Sequence, residues 1–103
     1  MGIRVWKNTG VAATLNYAGI TDANTPLFIN EVRLHLASPV AATLILTVEN
    51  TVASYNTKVY TQAMTSLKNH YKSFNPPITV LNGETLRCSL NTGATFGLIV
   101  IGS

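Results

Sequence analysis

Charge is what this sequence has least of. Seven Lys/Arg and four Asp/Glu make up 11% of 103 residues, where an average soluble domain carries about 25%. Asp22, Glu31, Glu49 and Glu84 are the only carboxylates, and the nearest two, Asp22 and Glu31, stand nine positions apart. A carboxylate pair flanking one glycosidic bond would depend entirely on a tertiary meeting. Cys88 is the single cysteine, which excludes an intrachain disulfide. No Asn-x-Ser/Thr triplet occurs, and synthesis in a reducing cytosol is expected.

Long apolar runs are missing as well. The longest, Phe96 to Ile101, has six residues and includes Gly97, far short of the roughly 18 that a membrane helix needs. The stretch Met1-Gly2-Ile3-Arg4-Val5-Trp6-Lys7 lacks the apolar centre of a signal peptide, and Trp6 stands where a myristoylation signal wants Ser or Thr. No membrane association is expected. Disorder is excluded by an ordinary apolar content of 47% and a net charge of only +3. The isoelectric point near 9.3 reflects few charges of either sign, so the field around the molecule is weak for a nucleic-acid binder.

What replaces charge is uncharged polarity, with 14 Thr and 10 Asn. Two-residue alternation recurs along the chain, the period of a half-buried strand. In Glu31-Val32-Arg33-Leu34-His35-Leu36 the apolar side chains share one face. After Ser38-Pro39, Thr43 to Glu49 repeats the pattern, and the two segments read as a hairpin with a long connection. Tyr55 to Thr61 and Ile78 to Leu81 are further strands, the latter opened by Pro76-Pro77. Asn82-Gly83 is a tight-turn signal before Thr85 to Leu90, which makes those two segments adjacent antiparallel strands. Thr95 to Ile101 follows the turn residues Asn91-Thr92-Gly93, and Ile3 to Lys7 and Pro26 to Asn30 add short pieces. Gln62 to Tyr71 could hold a helical turn, although Thr65, Ser66 and Asn69 weaken it. Seven to eight strands at about 8–12 residue spacing predict one all-β domain over residues 1–103, an antiparallel β-sandwich or jelly roll.

The groups able to do chemistry are dispersed. Cys88 shares a face with Leu86 and Leu90, which makes it a small core residue rather than a nucleophile for His35 or His70. Two histidines 35 residues apart give no metal spacing, and Asp22 stands without a second carboxylate for calcium. No catalytic residue, metal or cofactor is expected. Lys68-Asn69-His70-Tyr71-Lys72-Ser73-Phe74 does interleave cations with aromatics, as single-stranded nucleic-acid binders do. With Arg4, Lys7, Arg33, Lys58 and Arg87 scattered elsewhere, a solvated loop or a protein contact is the expectation, not nucleic acid. Trp6, Tyr17, Tyr55, Tyr60 and Tyr71 are available to a sugar, yet eight aromatics are an ordinary complement for core and interface.

Leu98-Ile99-Val100-Ile101 is apolar on both faces, as in a strand covered from both sides. Ile45 stands between Thr43 and Thr47 on the face opposite Leu44, Leu46 and Val48. A free-living sandwich places Lys and Glu there. The chain is therefore expected to work in an assembly, with Trp6, Ile45 and Tyr71 as contact residues.

The segments Asn30 to Ser38, Ala42 to Val48, Tyr55 to Met64, Pro77 to Leu86 and Thr95 to Leu98 together resemble small β-sandwich virion proteins of tailed bacteriophages. The resemblance spans about residues 28–101 and consists of strand and turn chemistry. It implies a capsid decoration or cement protein: a jelly-roll-like module, often a homotrimer, that sits on the major capsid protein lattice at the virion surface and stabilises the head. A tail- or fibre-associated virion protein, including a host-glycan binding module, is the alternative. The basic stretch Lys68 to Lys72 and the Glu84 that follows Gly83 depart from the usual pattern, so no functional residue is carried over.

Overall fold

From residue 86 to 102 the even-numbered side chains Leu86, Cys88, Leu90, Ala94, Phe96, Leu98 and Val100 are buried, and only Thr92 breaks the series before Gly102. One face of one strand therefore supplies the spine of the core. In the computed structural model, which describes residues 3–103, that strand is β6 (Thr85–Gly102). The others are β1 (Arg4–Thr21), β2 (Leu27–Leu36), β3 (Thr43–Glu49), β4 (Thr57–Ala63) and β5 (Asn69–Val80). The fold is all-β and antiparallel, as the alternation predicts. Readings of Met1 and Gly2 lie outside the described residues.

All six strands belong to one sheet of order β4-β3-β6-β2-β5, with β1 along the remaining edge of β6. At 18 residues, β6 is long enough to take two partners end to end on one edge. Residues 85–90 pair with β3 and residues 96–102 with β2, while β1 follows nearly the whole length on the other side. The sheet thus has a β3 half (β4, β3, and the adjoining ends of β6 and β1) and a β2 half (β5, β2, and their opposite ends). Leu44, Leu46, Leu86 and Leu90 from the first meet Val32, Leu34, Leu36 and Leu98 from the second in a single buried cluster. Each such Leu stabilises the fold by about 1.5–3 kcal/mol relative to exposure.

Three expectations are corrected. The strand count is six because the turn residues Asn91-Thr92-Gly93 form a corner inside β6 rather than ending it. Opposite them β1 absorbs the bend with register shifts between Gly10 and Ala13 and between Thr14 and Asn16, with Ala12 at φ 53°. Neither expected neighbour pair forms: β2 pairs with β5 and β6, and β3 with β4 and β6, so β2–β3 and β5–β6 connections cross between halves. Asn82-Gly83, with Gly83 at φ 81°, turns the chain across the core, not into a hairpin. Gln62 to Tyr71 is no helix. It holds the end of β4, a turn whose Ser66 has φ 67°, and the start of β5, with Met64 fully buried beneath it. Pro76 and Pro77 lie within β5 in the stretch where its register with β2 slips, so no ladder bond is lost to them.

β4 and β5 do not pair with each other. Side chains close the gap: the Tyr60 ring meets Phe74 edge-on at 5.4 Å, and its hydroxyl lies 2.6 Å from His70 Nε2. The result is a nearly closed, barrel-like sheet with aromatic caulking on one seam.

Candidate functional site

The four carboxylates and the three arginines are held in structural contacts. Arg4 holds Asp22 at 2.6 Å, Arg33 holds Glu31 at 2.9 Å, and Arg87 holds Glu49 at 2.9 Å. Glu84 accepts the Leu81 N–H at 3.0 Å and the Asn50 side-chain amide at 3.2 Å. Cys88 is fully buried, and that burial pushes its thiol up to about 12. His35 and His70 project to opposite sides of the β2 half, the first bonded to Asn69 Oδ1, the second beside Tyr60. Burial, then the charge of Lys72, lowers the pKa of His70. Among the described residues no three His, Cys, Asp or Glu side chains gather as a metal site would require. Nor, among them, is any helix long and apolar enough to cross a membrane.

The strand pleat divides the basic and aromatic stretch of β5. Asn69, Tyr71 and Ser73 pair across to His35, Arg33 and Glu31 on the outer face. Lys72 turns the other way, its Nζ 5.8 Å from the Tyr60 ring and 6.0 Å from that of Phe74. Cations and rings that alternate in sequence therefore do not form one continuous track.

The three contact residues expected from the sequence fall in three places. Trp6 is half-buried at the start of β1 and packs against the core. Ile45 is half-buried on the outer face of the β3 half. Tyr71 is 65% exposed on the outer face of the β2 half. The structure does not bring them together.

Around Ile45 the register defines a row, Asn16–Ser89–Ile45–Thr61, flanked on β3 by Thr43 and Thr47. Charge enters beside Thr47, as the Arg87–Glu49 pair and Lys58, and reaches one end of the row, where Arg87 Nη1 donates to Asn16 Oδ1 at 2.6 Å. The outer face of the β2 half differs. Its rows are Thr9–Gly97–His35–Asn69 and Lys7–Ile99–Arg33–Tyr71. Gly97 presents no side chain, and over it lies a depression of about 360 Å³ bounded by those two rows. Sequence reading missed this hollow. Its signal was a glycine inside an apolar run, which marks a gap or a close approach in a strand.

No family model matches the chain, and no curated protein matches it in sequence. Solved structures do match in fold. The Drosophila NLP core, whose structure is described in terms of pentamer formation and histone binding, is similar with a TM-score of 0.57 at 11% identity, over 100% of this chain and 97% of that one. The nucleoplasmin-like N-terminal domain of Drosophila FKBP39 is similar at a TM-score of 0.51 and 15% identity, over 96% and 87%. A chain of the capsid of Helicobacter pylori bacteriophage KHP30 gives a TM-score of 0.46 at 13% identity, over 96% and 92%. At such identities the likeness establishes the fold alone.

Proposed function

We propose that this chain is a non-enzymatic virion protein that acts through protein–protein contact, as a homo-oligomeric capsid decoration or cement protein seated on the major capsid protein. The observation that carries the reading is the uncharged patch on the outer face of the β3 half, Ile45 with Thr43, Thr61 and Ser89, which the Arg87–Glu49 pair borders on one side. Covering hydroxyls and an aliphatic side chain avoids the several kcal/mol that desolvating an ion costs. Each Å² of apolar area covered contributes about 25 cal/mol before association costs are subtracted. Of the expected contact residues, Ile45 lies on this face, Trp6 supports the core behind the other half, and Tyr71 is left to a second surface.

The fold adds support for self-association, because a protein of similar fold is described as forming pentamers. Its histone binding is not carried over. This chain has a net charge of +3 and four carboxylates, three of them held by arginines, so a cationic partner would find no acidic surface. The virion location rests on the sequence resemblance. Particles assembled without the chain should open at lower temperature or milder osmotic shock than complete ones. Equal robustness, or imaging that places the density on the tail, rejects the cement role.

A further inference from the structure

The depression over Gly97 has no part in the proposed assembly contact and lies on the opposite half of the sheet. We infer that it is a binding site for an acidic sugar residue of a glycan. At about 360 Å³ it stands at the small end of small-molecule sites, which run from about 300 Å³. A Cβ built on Gly97 meets nothing within 4 Å, so the hollow is open space rather than a contact waiting for a neighbouring strand.

Its walls supply two kinds of contact. On one side Tyr71, 65% exposed, offers a ring face of the kind that receives the C–H face of a pyranose. Arg33, whose guanidinium lies 6.0 Å from that ring's centroid, is set in place by Glu31 at 2.9 Å. Across the hollow stands Lys7, paired in register with Ile99, so two cations border the site against the one carboxylate already bound to Arg33. A sugar carboxylate is the group that balances them. At the other end His35 Nδ1 is engaged by Asn69 Oδ1, which leaves the Asn69 amide N–H groups and His35 Nε2 to sugar hydroxyls. A strand-like peptide would seek an edge or a long groove. This hollow lies on the face of the sheet, centred on Gly97 of the interior strand β6, and offers no unpaired strand edge at its centre.

The test is an NMR titration of the full chain with methyl glucuronide and with methyl glucoside, which differ at the carboxylate alone. The glucuronide should shift the backbone amides of Lys7, Gly97, Ile99 and Asn69 with millimolar affinity, and the glucoside should bind about tenfold more weakly. Gly97→Val fills the hollow with a strand-favouring side chain and should abolish both titrations. Lys7→Ala should remove the preference for the acid while leaving weak binding, and it carries the test if the valine variant fails to fold. The proposal is overturned if neither sugar moves these amides at about 50 mM, if Gly97→Val binds as well as the parent chain, or if a Glu-containing peptide shifts the same amides where the sugars do not.

Discussion

Two glycines five residues apart on β6 are there for opposite reasons. A Cβ on Gly97 would meet nothing, whereas one on Gly102 would lie 2.6 Å from the Phe28 carbonyl oxygen and 3.1 Å from Ile29 Cδ1. The Phe28 oxygen cannot swing aside, because it accepts the Ser103 N–H at 2.9 Å while the Phe28 N–H donates back to Ser103 at 2.9 Å. Gly102→Ala should therefore cost about 1–3 kcal/mol, the range for overpacking a close-packed site, while Gly97→Ala stays within about 0.5 kcal/mol of the parent. Urea unfolding of the two variants measures the difference, and equal midpoints would remove the argument. Sequence alone could not separate these residues, since both follow an apolar neighbour. Cys88, by contrast, was legible: its parity with Leu86 and Leu90 put it in the core, where the structure finds it.

Alternation told the faces of the strands but not their partners. Leu34 and Leu36 on β2 and Leu44 and Leu46 on β3 carry the same pattern, so a hairpin between them was the simplest reading. What decides otherwise is the length of β6, which was hidden because its corner at residues 91–93 is built from turn residues. The crossing connections this creates need their own anchors, and Asp22 is one. Its Oδ1 accepts the N–H of Asn24 at 2.7 Å and of Thr25 at 3.3 Å, and its Oδ2 takes Arg4 at 2.6 Å, tying the β1–β2 connection to the start of β1. The Arg4 guanidinium first, then the Asn24 N–H, hold the carboxyl down from 3.8 to about 2. Because the folded-state pKa is the lower one, the ionised form favours folding above pH 3.8, and that contribution is lost as pH falls towards about 2. Melting temperatures followed through this window should fall more steeply for the parent chain than for Asp22→Asn, and added salt should narrow the gap. Parallel curves would show that the clamp carries no linkage.

For the whole molecule, the scarcity of charge has an address. Arg87 and Glu49 are paired with each other at the border of the Ile45 row, which leaves Ile45, Thr43, Thr61 and Ser89 as an uncharged patch at its centre. If that face joins copies of the chain, a charge at its centre must weaken the joint, because an ammonium buried without a partner costs several kcal/mol, and every 1.4 kcal/mol raises the dissociation constant about tenfold. Ile45→Lys should therefore convert the assembled protein to monomer in sedimentation velocity at micromolar concentration. Ile45 points outward and is only half-buried, so the fold should survive the change. Ser73→Lys, on the outer face of the other half opposite Glu31, serves as the control and should leave assembly intact. The mass of the parent species tests the trimer that the sequence resemblance implies. A parent chain that sediments as a monomer, or two lysine variants that behave alike, would take self-association through this face out of the account.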